Sequence, residues 1–241
     1  MIKKIFVSVC FILLVLLLIP NHLSAQSMPM SLGLEFGYFV PSDWTIQGSA
    51  TIEYDNFGAP VDLNATGFGQ GAVVNILFVY PLRQNWGIIV DIGIIPLHGR
   101  EITLALAPDG NQESYEHILD IYPLNVSLLH RFSISGSTLN PFLGAGIGLH
   151  FASWDTKHGF IRNAQYRRDW FKGTATHFSG HFLLGIQYEL SSRLNLTSTV
   201  RYNFTGGDFE IKNMDTDERI EYDGIDLGGM SIKLGLSYNL N

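Results

Sequence analysis

The chain is 241 residues long, enough for one domain. Hydrophobic residues make up 46% and charged residues only 15%, below the roughly 25% of an ordinary soluble domain. The net charge of −7 provides no basic field to hold phosphates, which argues against a nucleic-acid partner.

The first element in chain order is a leader. Lys3 and Lys4 form a positive start, Ile5 to Ile19 an apolar core, Pro20 breaks the helix, and Ser24 and Ala25 are small. That anatomy predicts a signal peptide over residues 1–25, with cleavage as late as 27, where Ala25 takes the −3 position. The apolar run falls short of the ~20 residues of a membrane helix. Cys10, the single cysteine, lies inside this leader. The mature chain is therefore expected to lack disulfides and thiol chemistry.

From residue 31 onward the sequence alternates with a period of two, which predicts strands. Leu32, Leu34, Phe36, Tyr38 and Val40 share one face, with Gly33, Glu35 and Gly37 on the other. Runs follow at Gly71–Tyr80, Trp86–Ile95, Tyr122–Arg131, Leu143–Phe151, Phe178–Tyr188, Leu194–Phe204 and Met230–Leu240. Each is near the ~9–11 residues of a tilted membrane strand. In most runs one face is free of charge while the other holds the ionic side chains, among them Asp91, Arg201 and Lys233.

The connections set the architecture. Short links at 82–85, 133–139 and 190–193 alternate with long ones at 41–67, 104–116, 152–173 and 205–227. That order predicts an all-β, eight-stranded antiparallel up-and-down transmembrane β-barrel, residues 31–241, with short periplasmic turns and long outer loops. Both termini would then lie in the periplasm. In lipid the uncharged face must be the outer one, since a charge there costs ~2–4 kcal/mol at the midplane. Closure leaves no unpaired strand edge in the bilayer. A lipocalin-like soluble barrel, apolar side inward, is the alternative. Aromatics cluster at run ends, as interfacial girdles do: Tyr80, Trp86, Phe132, Tyr188, Tyr238 and Phe142 at the short turns, and Tyr38, Phe151, Phe178 and Phe204 at the long loops.

Three segments carry a family resemblance. The run Lys233 to Leu240 is similar to the β-signal of outer-membrane barrels, matching at Lys233, Gly235, Tyr238 and Leu240. Asn140 to Gly148 resembles the Pro-aromatic-Gly-x-Gly strand of small porin-family barrels, and Gly37 to Asp43 the start of OmpW-like proteins. The chain thus resembles the small OmpX/OmpW type of the Gram-negative cell envelope. The resemblance implies outer-membrane lipids and lipopolysaccharide as surroundings and the barrel-assembly machinery as a partner during biogenesis. It implies no cofactor and leaves any extracellular partner unspecified. No peptidoglycan-binding domain follows the barrel, so no cell-wall tether is expected. The apolar Val73, Leu77 and Val79 on the inner face are closer to the OmpW type, whose lumen is associated with small hydrophobic molecules.

Within the barrel, Glu35, Asp91, Arg201 and Lys233 fall at similar heights. Eight strands leave room only for side chains, and a buried charge needs a partner. An ionic cluster plugging the lumen is therefore expected, with Arg131 and Glu189 as a second pair toward the periplasmic end. A proton or ion path is the alternative. His177, Ser179 and Glu189 invite comparison with the lipid A deacylases, whose His-x-Ser-Asn strand faces lipid. Here Gly180 replaces the Asn and the phasing points the pair inward, so no enzyme is expected. The link 152–173 carries Lys157, Arg162, Arg167, Arg168 and Lys172 among aromatics, a candidate basic patch for phosphates or carboxylates. The link 205–227 is acidic, and a latch between the two is expected. Asp215, Asp217 and Glu218 lack EF-hand spacing, so no metal is expected. The sequence thus points to a structural or surface-interaction barrel. Passage of small hydrophobic solutes is the runner-up, and a lipid A-modifying enzyme comes third.

Overall fold

The computed structural model describes residues 28–42, 45–47, 64–66, 70–83, 85–101, 112–132, 134, 137–162, 165–216 and 219–240. The expected leader lies outside them. The described strands are β1 (Ser31–Pro41), β2 (Thr45–Gln47), β3 (Asn64–Thr66), β4 (Gly71–Arg83), β5 (Trp86–Glu101), β6 (Gln112–Arg131), β7 (Leu139–Arg162), β8 (Gln165–Glu189), β9 (Leu194–Asn213), β10 (Arg219–Asp226) and β11 (Gly229–Asn239).

Eight of these close a ring in the order β9, β11, β1, β4, β5, β6, β7, β8 and back to β9, each pair antiparallel. β10 pairs with the far half of β9, Arg219 opposite Lys212 and Asp226 opposite Gly206. After Leu227 and Gly228, β11 pairs with the near half, from Gly229 opposite Asn203. β10 and β11 are thus two lengths of one descending stave. A register shift falls between Tyr222 and Ile225, where Gly224 has φ +67°, a value few other residues adopt without strain.

Alternation decides what faces where. Along β11 buried and exposed residues alternate without a break. Leu34, Phe36, Ile147, Phe182, Leu184, Ile232 and Leu234 lie exposed on the outer wall, while Glu35, Asp91, Arg201 and Lys233 are buried inside. This wall is the reverse of a soluble barrel. All eight expected runs coincide with strands of the ring, the last strand ending one residue earlier, at Asn239. Among the expected girdle residues, Trp86, Phe132, Tyr188 and Tyr238 stand exposed at the short-turn end, and Phe178 and Phe204 at the other. Phe142 is a correction: it occupies an inward position of β7 and is buried in the lumen.

The structure also corrects the extent of the strands. Most of the 152–173 link is strand: β7 and β8 run to Arg162 and Gln165, 24 and 25 residues long. At ~3.3 Å per residue β8 spans roughly 80 Å along its length, while a ~25 Å apolar band needs only about ten residues. The inward period of two continues through Trp154, Phe171, Phe209 and Ile211, all buried. The outward residues change from apolar to charged above the band, and that change ends the sequence pattern without ending the strand. β2 pairs with β3 and lies beside β10, and β3 lies beside β5.

The lumen is layered. At the long-hairpin end Phe39, Val73, Ile95, Leu97, Leu119, Ile121, Ala152, Trp154, Phe171, Phe209, Ile211, Ile225 and Leu227 form one apolar cluster. Toward the short turns Met28, Leu77, Val79, Ile89, Leu129, Phe142 and Leu183 form another. The ionic residues lie between them.

Candidate functional site

The middle layer is built from strands on opposite sides of the ring. Arg201 on β9 donates from Nη1 to Asp91 Oδ1 at 2.7 Å and from Nη2 to Asp91 Oδ2 at 2.6 Å. β5 and β9 stand four places apart in a ring of eight, so this bidentate bond crosses the lumen. Asn125 Nδ2 on β6 adds a third bond to Asp91 Oδ1 at 3.0 Å. On the neighbouring strands Lys233 Nζ pairs with Glu35 Oε2 at 2.7 Å, and Thr199 Oγ1 donates to Glu35 Oε1 at 2.8 Å. Asn75, its amide oriented to suit a cation that can only donate, accepts from Lys233 Nζ at 2.7 Å and donates to the carbonyl of Val74 at 3.1 Å.

Burial makes this layer electrostatically stiff. The four charged side chains are between 1% and 5% exposed. Paired and hydrogen-bonded ions are tolerated at such burial, and lone ones are not. The layer holds two carboxylates and two cations, so its formal charge is zero. Glycine makes room for it: a Cβ at Gly37 would sit 2.7 Å from Lys233 Cγ, and one at Gly235 2.7 Å from Glu35 Cγ.

Toward the long hairpins the lining stays polar for two more turns of the pleat. His181 Nε2 meets Ser127 Oγ at 2.7 Å. The two ring nitrogens of His150, His177 Nε2, Ser179 Oγ and Asn203 Oδ1 make no hydrogen bond to protein atoms. His150 and His177 are directly opposed across β7 and β8.

The candidates named from sequence divide clearly. Glu35, Asp91, Arg201 and Lys233 come together. Arg131 and Glu189 make no contact pair among the described residues: Glu189 accepts from Asn140 Nδ2 at 2.9 Å, and Arg131 Nε has no partner. His177 and Ser179 face the lumen, but Glu189 lies ten residues further along β8, roughly 33 Å at strand rise. The three therefore do not meet as a catalytic set. Of the β-signal residues, Lys233 and Gly235 point inward, while Tyr238 and Leu240 lie on the outer wall. Tyr238 Oη accepts from Arg193 Nη1 at 3.1 Å.

The basic candidates sit on the β7–β8 hairpin. Lys157 and Arg168 pair with Glu116 on β6 at 3.6 and 3.9 Å, and Lys172 with Asp155 at 3.4 Å. Trp170 Nε1 also donates to Asp155, and Lys172 Nζ stands 4.1 Å from the Trp170 ring centroid. The side chains of Arg162 and Arg167 lie outside the described residues. The expected latch to residues 205–227 is made through backbone: Phe171 to Gly173 pair with Asn213 to Ile211, and Met214 N donates to Trp170 O at 2.8 Å. Lys157 and Arg168 reach instead to β6, and Arg219 pairs with Glu210 within the β9–β10 hairpin. Among the described residues no group of three His, Cys, Asp or Glu could hold a metal ion.

Sequence reasoning missed Asn75, Asn125 and Thr199 as members of the layer. All three stand on inward positions, so the period of two carried the signal once neutral partners are counted with the ions. It also missed Met28, which precedes the first alternating run.

No protein-family model and no curated protein matches the sequence. Among solved structures the chain is similar to the outer membrane protein OprG from Pseudomonas aeruginosa, with TM-score 0.58 and 15% identity over 91% of this chain and 99% of that one. It is also similar to Neisserial surface protein A, TM-score 0.47 and 12% identity over 89% and 99%. A third similar structure is the outer membrane protein AlkL in lipid bilayers, TM-score 0.47 and 16% identity over 91% and 93%. The chain has the fold of the small outer-membrane β-barrels.

Proposed function

From that fold we propose that the chain is an outer-membrane barrel with a structural or surface-interaction role, its lumen plugged by the ionic layer. The short turns and both chain ends face the periplasm, and the long hairpins face the exterior. The observation that carries this reading is the Arg201–Asp91 bond across the lumen, with apolar layers packed on both sides of it. A solute would have to part a buried ion pair and two apolar clusters to pass. The apolar outer wall supports a lipid setting, and the hairpins carry their polar residues well beyond it. Lipopolysaccharide and the barrel-assembly machinery belong to this reading as surroundings and as biogenesis partner. No catalytic role is part of it. Planar-bilayer recording tests the plug: steady unitary conductance from the wild-type protein would sink it, and its absence is the expected result.

One observation favours the second reading, entry of small hydrophobic solutes. The ladder between β8 and β9 pairs Gly173 with Ile211 and resumes only at Ser179 and Thr205. In the gap Thr205 Oγ1 takes the carbonyl of Phe178 at 2.9 Å, and the His177 ring fills the space over Gly207. Such a break in the ladder is where the wall would part to admit a solute from the side, above the ionic layer. Cysteines placed at Thr176 and Asp208, opposed across the gap, test it. Oxidation should abolish uptake of an apolar fluorophore and reduction restore it, whereas uptake indifferent to both rules out this route.

A further inference from the structure

Beneath the ionic layer, toward the short turns, lies a cavity of ≈ 40 Å³. Its walls differ in chemistry. Leu77, Val79, Ile89, Leu129, Phe142 and Leu183 supply an apolar side, Thr197, Thr199 and Ser237 a hydroxyl-lined side, and Glu35, Asp91 and Arg201 the ceiling. Arg201 is 4% exposed, and its Nε has no protein partner even though both terminal nitrogens are bound to Asp91. Met28 and Pro29, from the segment before β1, also line the cavity.

Met28 is buried to 3% within the same apolar cluster. Gly87 makes the room: a Cβ there would fall 2.9 Å from Met28 Sδ. The segment is tied down by a strand-like bond from Leu240 N to Met30 O at 2.8 Å, two residues beyond Met28. A flexible thioether, unbranched and polarizable, is a filler that can be exchanged for another apolar group of similar size. Both expected leader cleavage positions leave Met28 in the mature chain.

We propose that this vestibule is a binding site for a small uncharged amphiphile bearing one hydroxyl, a phenol or short-chain alcohol, which enters from the short-turn side and takes the place of Met28. The hydroxyl suits the ceiling because it both donates and accepts. It gives its proton to a carboxylate lone pair of Glu35 or Asp91 and accepts from Arg201 Nε or a threonine hydroxyl. The ring or chain lies along Leu129, Phe142 and Leu183, and the burial of its own apolar surface supplies the affinity. An anionic head is excluded by charge. Glu35 and Asp91 both line the cavity with Arg201, whereas Lys233 does not, so an anionic head would meet two carboxylates and a single guanidinium already held by Asp91. A cationic head would gain little, because both carboxylates already hold cations. The site is a pocket closed above by the ion pairs, so it stands whether or not the barrel conducts.

The test uses the full protein purified from the membranes that express it, placed in lipid nanodiscs with ¹³C-methyl methionine, and phenol and benzoate as probes. The Met28→Ala spectrum identifies the Met28 signal. Phenol should shift that signal saturably, and benzoate should bind at least about tenfold more weakly, a difference of about 1.4 kcal/mol. Met28→Ala, read by calorimetry, should bind phenol more tightly because the competing side chain is gone. Leu183→Trp, which fills the cavity, should abolish the shift. Val79→Phe does the same from another strand, and heat-modifiable gel mobility shows which of the two is folded. An unshifted Met28 signal overturns the proposal. So does a shift undiminished in whichever filled variant folds, since that is partitioning into lipid. Equal binding of benzoate overturns the hydroxyl-headed ligand class.

Discussion

The molecule uses the same ion-pair chemistry in two places, and the settings are opposite. In the lumen Arg201 and Asp91 meet at 2.6 Å with side chains 5% and 1% exposed. On the far hairpin Arg219 and Glu210 meet at 2.8 Å, exposed to 63% and 47%. The distances are nearly equal, so geometry does not distinguish the pairs. Desolvation does: the buried ions have given up water and depend on each other, while the exposed ones keep a solvent alternative. Proximity in a barrel of this kind is therefore a poor guide to importance, and burial a good one.

The largest effect should come from breaking the buried pair on one side. Asp91→Ala leaves Arg201 without its bidentate acceptor in a closed lumen and should cost about 3–5 kcal/mol. The unfolded band in a heat-modifiability series should emerge at a much lower temperature than for wild type. A variant melting with the wild type would mean that the lumen is wet enough to solvate a lone guanidinium. Replacing both partners, Asp91→Leu with Arg201→Met, sharpens the contrast. A well-packed apolar pair in place of ions is often neutral or stabilising, so the double variant should melt well above Asp91→Ala. If the two variants melt together, the loss lies in packing or in Asn125 rather than in the stranded charge.

Gly235→Ala comes next. The added Cβ would sit 2.4 Å from the carbonyl oxygen of Leu34 and 2.7 Å from Glu35 Cγ, and overpacking of this kind costs about 1–3 kcal/mol. The residue belongs to the expected β-signal, so two effects need separating. A steric effect on the ion pair predicts that purified, folded Gly235→Ala protein is less stable. A biogenesis effect alone predicts less protein in the membrane but unchanged melting once it is folded.

Much of this is legible in the sequence. A period of two carried through eight runs defines the strands, and the sorting of charge to one face of most runs tells inside from outside. Glu35, Asp91, Arg201 and Lys233 could be placed at one height because strand residues are counted at a fixed rise. What the sequence hid has physical causes. The extent of the long hairpins is hidden in the sequence because apolar outward residues carry the period, and above the apolar band the outward positions hold Lys157, Arg168 and Lys172. Neutral partners are hidden because Asn75 and Asn125 carry no charge to be balanced. Pairing depends on side-chain reach, which the spacing of residues along a strand does not give: the four central ions meet in two pairs, whereas Glu189 takes Asn140 as its hydrogen-bond partner. Met28 was invisible because a single residue before the first run has no periodicity.

The smallest effect belongs to the exposed pair. Arg219→Ala removes a guanidinium that keeps most of its water in the native state and lies on a strand already tied to β9 by backbone bonds. Its loss should change stability by about 0–1 kcal/mol, and the small remaining term should vanish in high salt. The Asp91→Ala loss should be insensitive to salt, because no counterion reaches a closed lumen. Melting both variants at low and high ionic strength therefore probes access as well as energy. A salt-dependent Asp91→Ala would show that ions reach the layer, which would count against a plugged lumen even without a single conductance step. A salt-independent loss of several kcal/mol at Arg219 would mean that the far hairpins are stabilised by a network tighter than its exposure suggests.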